Sequence, residues 1–70
     1  MMTLQELRTR RGMTQWDLAG RLSIQQAAVS KLETRTDVYV SMLRSFVEAL
    51  GGKLEINAVF PNRTFAVGQI

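Results

Sequence analysis

At Gly51-Gly52 the hydrophobic period of the chain changes from about 3.6 residues to about 2, and no one kind of secondary structure accommodates both sides of that break. Upstream, apolar residues recur three and four apart, as on one side of an α-helix. Downstream, Leu54, Ile56, Ala58 and Phe60 alternate with Lys53, Glu55, Asn57 and Val59, the pattern of a strand with one face buried. Pro61-Asn62-Arg63 then signals a turn, and Thr64-Phe65-Ala66-Val67 reads as a second, shorter strand. The expected fold is mainly α with a small C-terminal β element: helical residues 1–52, then a strand or hairpin over residues 53–70. No linker long enough to separate domains lies between them, so the two parts belong to one compact unit.

Local signals place four helices in the first part. Thr3-Leu4-Gln5-Glu6 is a capping box, with Leu4 and Leu7 as a short apolar stripe and Gly12 as a left-handed stop. Thr14-Gln15-Trp16-Asp17 repeats the start signal, Asp17 being shorter than the usual Glu. Met13 and Leu18 fall at the positions of a hydrophobic staple, and Leu18, Ala19 and Leu22 form the inward side. A third helix runs from about Gln25 to Glu33, with Ala28, Val29 and Leu32 on one side and Gln26, Ala27, Ser30 and Lys31 on the other. For the fourth, Asp37 is the candidate N-cap and Gly51 the stop, with Val40, Leu43, Phe46, Val47 and Leu50 as its buried stripe. Tyr39 and the methionines are read as packing residues. Trp16 is read as core cover or half-exposed, with stacking near a phosphate as its other role.

Composition narrows the chemistry. There is no Cys and no His in the 70 residues, which removes disulfides, thiolate or imidazole metal sites, Cys nucleophiles and His-based acid–base pairs. Glu33, Asp37 and Glu48 show no partner pattern for acid–base work. No catalytic residues, metal site or cofactor are expected, and the chain reads as a binding module, not an enzyme. Uninterrupted apolar stretches reach only three residues, too few for a membrane span. No basic flank followed by an apolar stretch marks a secretory signal, so a cytoplasmic location is expected. The net charge of +3 resides entirely in residues 1–36, where Arg8, Arg10, Arg11, Arg21, Lys31 and Arg35 face Glu6, Asp17 and Glu33. That asymmetry suggests a polyanionic partner.

Two short helices joined by a tight turn inside a basic half have the geometry of a helix-turn-helix. Ala19 is small enough for close approach of the second and third helices, and Ser23-Ile24 leaves room only for a short turn. On the outward side of the third helix, Gln26 carries an amide able to bond adenine N6 and N7 together. Lys31 can reach guanine or a phosphate.

Together these segments resemble the Cro/C1-type helix-turn-helix family. The likeness covers Leu4 to Gly51 and rests on Thr14-Gln15-x-x-Leu18-Ala19, Ile24-x-Gln26-x-Ala28-Val29-Ser30-Lys31-Leu32-Glu33 and Glu48-Ala49-Leu50-Gly51. It implies a four-helix domain that binds double-stranded DNA through the major groove. Gln15 would bind backbone phosphate and brace Gln26. Gln25, Gln26, Ala27, Ser30 and Lys31 would face the groove, and Thr34, Arg35 and Thr36 would approach phosphate. Two departures stand out. Ser23 occupies the turn where the family usually has Gly, so it must adopt a left-handed conformation or alter the turn. Gln25 is a poor N-cap for the recognition helix.

The stretch from Thr36 to Glu55 is also similar to short antitoxins of bacterial toxin–antitoxin operons, in which a β-strand replaces a fifth helix. That resemblance implies a homodimer paired through the strand, repression of its own operon and a toxin partner. The apolar face of Leu54, Ile56, Ala58 and Phe60, too large to leave wet on so small a domain, supplies the expected dimerisation residues. The sheet is expected over helix 4, with Leu43, Phe46 and Leu50 as its neighbours, setting two recognition helices about 34 Å apart on a palindromic operator. A plain repressor without a toxin is the alternative. A reading from another class is a protein-interaction module that docks a partner on Phe60, Phe65, Val67 and Ile70 without binding DNA.

Overall fold

A computed structural model describes residues 1–68. Four helices, α1 (Leu4–Arg10), α2 (Gln15–Leu22), α3 (Gln26–Thr34) and α4 (Val40–Ala49), precede an antiparallel hairpin of β1 (Ile56–Phe60) and β2 (Arg63–Val67). The expected fold class therefore holds, and the change of period at Gly51-Gly52 is the boundary between the two kinds of structure.

The helix ends follow their local chemistry. Thr14 and Asp17 form a complete capping box: the Asp17 N–H donates to Thr14 Oγ1 (3.1 Å) and the Thr14 N–H to Asp17 Oδ2 (3.0 Å). The shorter acid closes the box fully. At α1, Thr3 Oγ1 accepts from the Glu6 N–H and donates to the Glu6 carboxylate. The ends of α1, α2 and α4 repeat one pattern, a left-handed residue flanked by two reverse hydrogen bonds. Gly12 (φ 72°), Ser23 (φ 57°) and Gly51 (φ 90°) supply the left-handed residue. The paired bonds are Gly12→Thr9 and Met13→Arg8, Ser23→Gly20 and Ile24→Ala19, and Gly51→Glu48 and Gly52→Val47. Ser23 thus accepts the left-handed conformation and keeps the turn short.

The start of α4 departs from expectation. Asp37 lies in the connection, and the helix begins at Val40 behind Tyr39, which makes no side-chain cap bond. Val38-Tyr39-Val40 is a β-branched and aromatic run, which favours extended backbone over a first helical turn.

Leu18, Ala19, Val29, Phe46 and Leu50 form the core, flanked by Leu4, Leu7, Met13, Leu22, Ile24 and Ala49. Each large side chain buried there stabilises the fold by about 1.5–3 kcal/mol. None of these residues belongs to the hairpin. Phe46 and Leu50 are already buried within this chain's own core, so they are not free to receive a sheet, contrary to expectation; Leu43 stays half-buried.

In the hairpin, Ile56 pairs with Val67, Ala58 with Phe65 and Phe60 with Arg63, and directly opposed residues share a face. One face therefore gathers Ile56, Ala58, Phe60, Phe65 and Val67. Phe60 and Phe65 meet edge to face at 5.9 Å, and the Arg63 guanidinium lies 5.1 Å from the Phe65 ring centre. This face remains largely in water: Phe60 is 53% and Phe65 47% exposed. Leu54 precedes the strand and is half-buried. Ile70, expected on the same surface, lies outside the described residues. The molecule measures 42 × 22 × 22 Å. Among the described residues no helix is long and apolar enough to cross a membrane.

Candidate nucleic-acid interface

The turn between α2 and α3 fixes the site. Ser23 reverses the chain, Ile24 packs against the core, and Gln25 enters α3 in extended conformation without a side-chain cap bond. Ala19, nearly fully buried, lets α2 and α3 approach. Val29 and Leu32 turn inward, which leaves Gln25, Ala27 and Lys31 exposed and Gln26 and Ser30 half-buried along the outer side. A cleft of about 550 Å³ lies elsewhere, between α4 and the base of the hairpin, lined in part by Arg44, Glu48, Lys53 and Glu55. The cleft beside α3 is about 480 Å³ and is lined by Trp16, Gly20, Gln25, Gln26 and Ala27 among others.

Behind the outer face runs a chain of side-chain hydrogen bonds. Gln26 Nε2 donates to Gln15 Oε1. Gln15 Nε2 donates to Glu33 Oε1 at 3.0 Å. Arg8 completes the chain, Nε to Glu33 Oε2 at 2.6 Å and Nη2 to Glu33 Oε1 at 3.2 Å, while its Nη1 donates to the Met13 carbonyl at 2.8 Å. The Arg8 and Glu33 side chains are only 8% and 3% exposed. A buried ion pair therefore ties α1 to the end of α3 and reaches the start of α3 through two amides.

The remaining expected residues fall at the far end of α3. The Thr34 hydroxyl donates to the Lys31 carbonyl at 3.0 Å, Arg35 caps the helix in extended conformation, and both are exposed, as is Thr36. The structure thus places Gln15 and Gln26 in direct contact, Gln25, Ala27, Ser30 and Lys31 on the same outer side, and Thr34 and Arg35 at its end. Sequence reasoning passed over Arg8 and Glu33 as partners. The signal was present at Arg8, which stands four residues after Leu4 and one after Leu7, inside the apolar stripe of α1.

Other expectations need correction. Three of the six cations in residues 1–36 hold internal partners: Arg8 pairs with Glu33, Arg11 Nε donates to the Leu50 carbonyl (3.2 Å) and Arg21 Nη1 to the Ala49 carbonyl (3.1 Å). The Arg8–Glu33 pair leaves the net +3 of this half unchanged, while Arg11 and Arg21 set their charges against the negative end of α4. Trp16 is 74% and Tyr39 82% exposed, and Met1 and Met2 are also exposed, so none of the four is a core residue. Trp16 sits on the first turn of α2, whose inward positions are taken by Leu18, Ala19 and Leu22.

Two helices crossing at a tight turn, the second presenting polar side chains outward, define a helix-turn-helix. The family profile described as "Helix-turn-helix domain" matches residues 1–59, and the chain belongs to that family. It is 36% identical over 66 residues to a Mycobacterium tuberculosis (strain ATCC 25618 / H37Rv) protein named "Putative antitoxin HigA2", an alignment that takes in 91% of this chain and 65% of that protein's length. Among solved structures, it resembles "DNA bound antitoxin HigA3" with a TM-score of 0.90 and 34% identity, over 100% of this chain and 94% of that one. It is also similar to the antitoxin in "Induced DNA bending by unique dimerization of HigA antitoxin", with a TM-score of 0.90 and 35% identity, over 99% of this chain and 95% of that one.

Proposed function

We propose that this protein is a transcriptional regulator that binds double-stranded DNA in sequence-specific fashion as a homodimer, on a palindromic operator, and serves as an autoregulatory antitoxin that holds a toxin. The observation that carries the reading is the amide of Gln26, braced by Gln15 at the exposed start of α3. An amide held in place presents its bonding groups to a base edge without first losing side-chain freedom. In this reading Gln26 reads a base, Gln25, Ala27 and Ser30 line the groove, and Lys31, Thr34 and Arg35 meet phosphate. Gln15 keeps its second Nε2 hydrogen for a phosphate as well. The likeness to antitoxins described as DNA-bound and as dimerising supports the partners. The exposed apolar face of the hairpin supports the homodimer. Residues 1–52 then form the DNA-reading part and residues 53–70 the self-pairing part, with Leu54, Ile56, Ala58 and Phe60 covered by the second copy.

Selection of duplexes from a random pool with the full chain tests this directly. The expected product is an inverted repeat with half-sites about one helical turn, roughly 34 Å, apart. Gln26→Ala is expected to relax one base pair of each half-site and to cost about 1–3 kcal/mol on the best duplex. A pool without enrichment, or an equal loss on selected and random DNA, would overturn the reading.

A further inference from the structure

We propose that Glu33, although buried away from the groove, is a specificity-determining positioning residue: its carboxylate fixes the orientation of the Gln15 and Gln26 amides so that Gln26 selects adenine over guanine. The inference rests on the DNA-binding reading above and deepens it.

A carboxylate only accepts hydrogen bonds, whereas a Gln side chain has an oxygen that accepts and a nitrogen with two hydrogens to donate. Glu33 Oε2 is held by Arg8, and Oε1 is shared by Arg8 Nη2 and Gln15 Nε2. Because the ion pair is almost fully buried, water does not compete for these positions. Gln15 must therefore turn its nitrogen toward Glu33, since the opposite orientation would set a carbonyl oxygen against a carboxylate oxygen. Its own Oε1 is left to face Gln26, and Gln26 can approach that oxygen only with its Nε2. One buried charge thus sets the polarity of two successive amides.

The consequence lies at the outer end of the chain. One Nε2 hydrogen of Gln26 is spent on Gln15, so one acceptor and one donor remain for the groove. Adenine presents an acceptor at N7 and a donor at N6, which match that pair. Guanine presents acceptors at both N7 and O6 and leaves the Gln26 oxygen unmatched. An unpinned Gln could offer both hydrogens. Gln25, the neighbouring amide, is exposed and makes no cap bond, which makes it a natural control within the same molecule.

The test has two arms on the full chain, with Glu33→Met, which offers no oxygen acceptor at this position, as the variant. In the first, without DNA, the side-chain NH2 resonances of Gln15 and Gln26 are compared by NMR with those of the exposed Gln5 and Gln25. Gln15 and Gln26 are expected to be shifted and protected from solvent exchange, and Glu33→Met to abolish the difference. In the second, duplexes carrying adenine or guanine at the base pair that Gln26→Ala relaxes are made to compete. Wild type is expected to prefer adenine by about 5- to 150-fold, and the variant to bring the ratio within about 3-fold while affinity for random duplex stays within about 2-fold. A merely structural role would weaken all duplexes together. Should Glu33→Met unfold because Arg8 is left unpaired, the double variant Arg8→Met/Glu33→Met removes both charges at similar volume and gives the same two readouts. A folded variant that keeps the adenine preference overturns the proposal, as does a Gln26 NH2 group indistinguishable from that of Gln25 in wild type. Wild type without any duplex preference overturns the DNA-binding reading and base selection together, while the first arm separately decides whether Glu33 orients the amides.

Discussion

Of the three phenylalanines, Phe46 lies at the centre of the helical part and is 1% exposed, whereas Phe60 and Phe65 stand on the hairpin about half in water. The helices bury one another's stripes. The two strands only half-bury Ile56 and Ala58 and leave Phe60, Phe65 and Val67 exposed. Residues 1–52 therefore hold a core of their own, and the hairpin holds a surface. An isolated two-stranded hairpin is marginal in water and leaves open edges, so its apolar face is stabilised by whatever covers it. The lesson is that similar hydrophobic content does different work on the two sides of Gly51-Gly52.

Shortening the same residue type on both sides of Gly51-Gly52 is expected to have opposite kinds of effect. Phe46→Ala is expected to cost about 3–5 kcal/mol, much of the stability of so small a domain. Phe60→Ala is expected to change the unfolding free energy of the isolated chain by at most about 1 kcal/mol, and instead to weaken self-association. Denaturant titration beside sedimentation at several concentrations separates the two effects. Equal destabilisation by both would mean that the hairpin belongs to the core.

Cutting the chain after Gly52 removes the hairpin while leaving every core residue in place. The shortened protein is expected to keep its helical far-UV signal and to sediment as a monomer. It should bind the best duplex selected by the full chain much more weakly, with little change in the base preference at the position Gln26 reads in the proposed function. A truncated protein that remained dimeric would assign pairing to the helices and leave the hairpin to another partner.

Within the helical part, the turn offers a smaller effect. Ser23 adopts φ 57° where its two counterparts at the ends of α1 and α4 are glycines. Ser23→Gly is expected to stabilise the fold by about 0.5–1 kcal/mol, the relief of left-handed strain being partly offset by greater freedom of the unfolded chain. A thermal melt decides it, and a loss of stability would show that the serine makes a compensating contact.

The smallest effect is one of pH. Hydrogen bonds with the Thr14 backbone, then with its side chain, and the nearby charge of Arg21 hold the Asp17 carboxyl below its ordinary value of 3.8. A carboxylate lowered in the folded state contributes stability that is present above its unfolded value and is lost as pH falls through the folded one. The gap in unfolding temperature between wild type and Asp17→Asn is therefore expected to be constant above pH 3.8 and to close below it. A gap that persists in acid would mean that the box acts through geometry and not through charge.

Much of this architecture was legible along the chain. The two Thr starts, the stops at Gly12 and Gly51, the stripe ending in Phe46 and Leu50, the left-handed demand on Ser23 and the change of period all act over a few residues. Backbone hydrogen bonding and side-chain spacing of that range are written directly in sequence. The outward position of Gln26 followed from the same helical spacing. The delayed start of α4 and the exposure of Trp16 and Tyr39 did not follow as cleanly, because each depends on which of several local possibilities the packed helices favour. Furthest from local reading was the pair of Arg8 and Glu33, 25 residues apart. A charge on an apolar stripe is either expelled or partnered, and only the packing of α1 against the end of α3 supplies the partner. The same holds for Arg11 and Arg21, whose guanidinium groups meet the end of α4 only once the helices have packed. Periodicity and capping chose the elements. Long-range packing chose which side chains were consumed inside the fold and which, like Gln26 and the hairpin phenylalanines, were left facing outward.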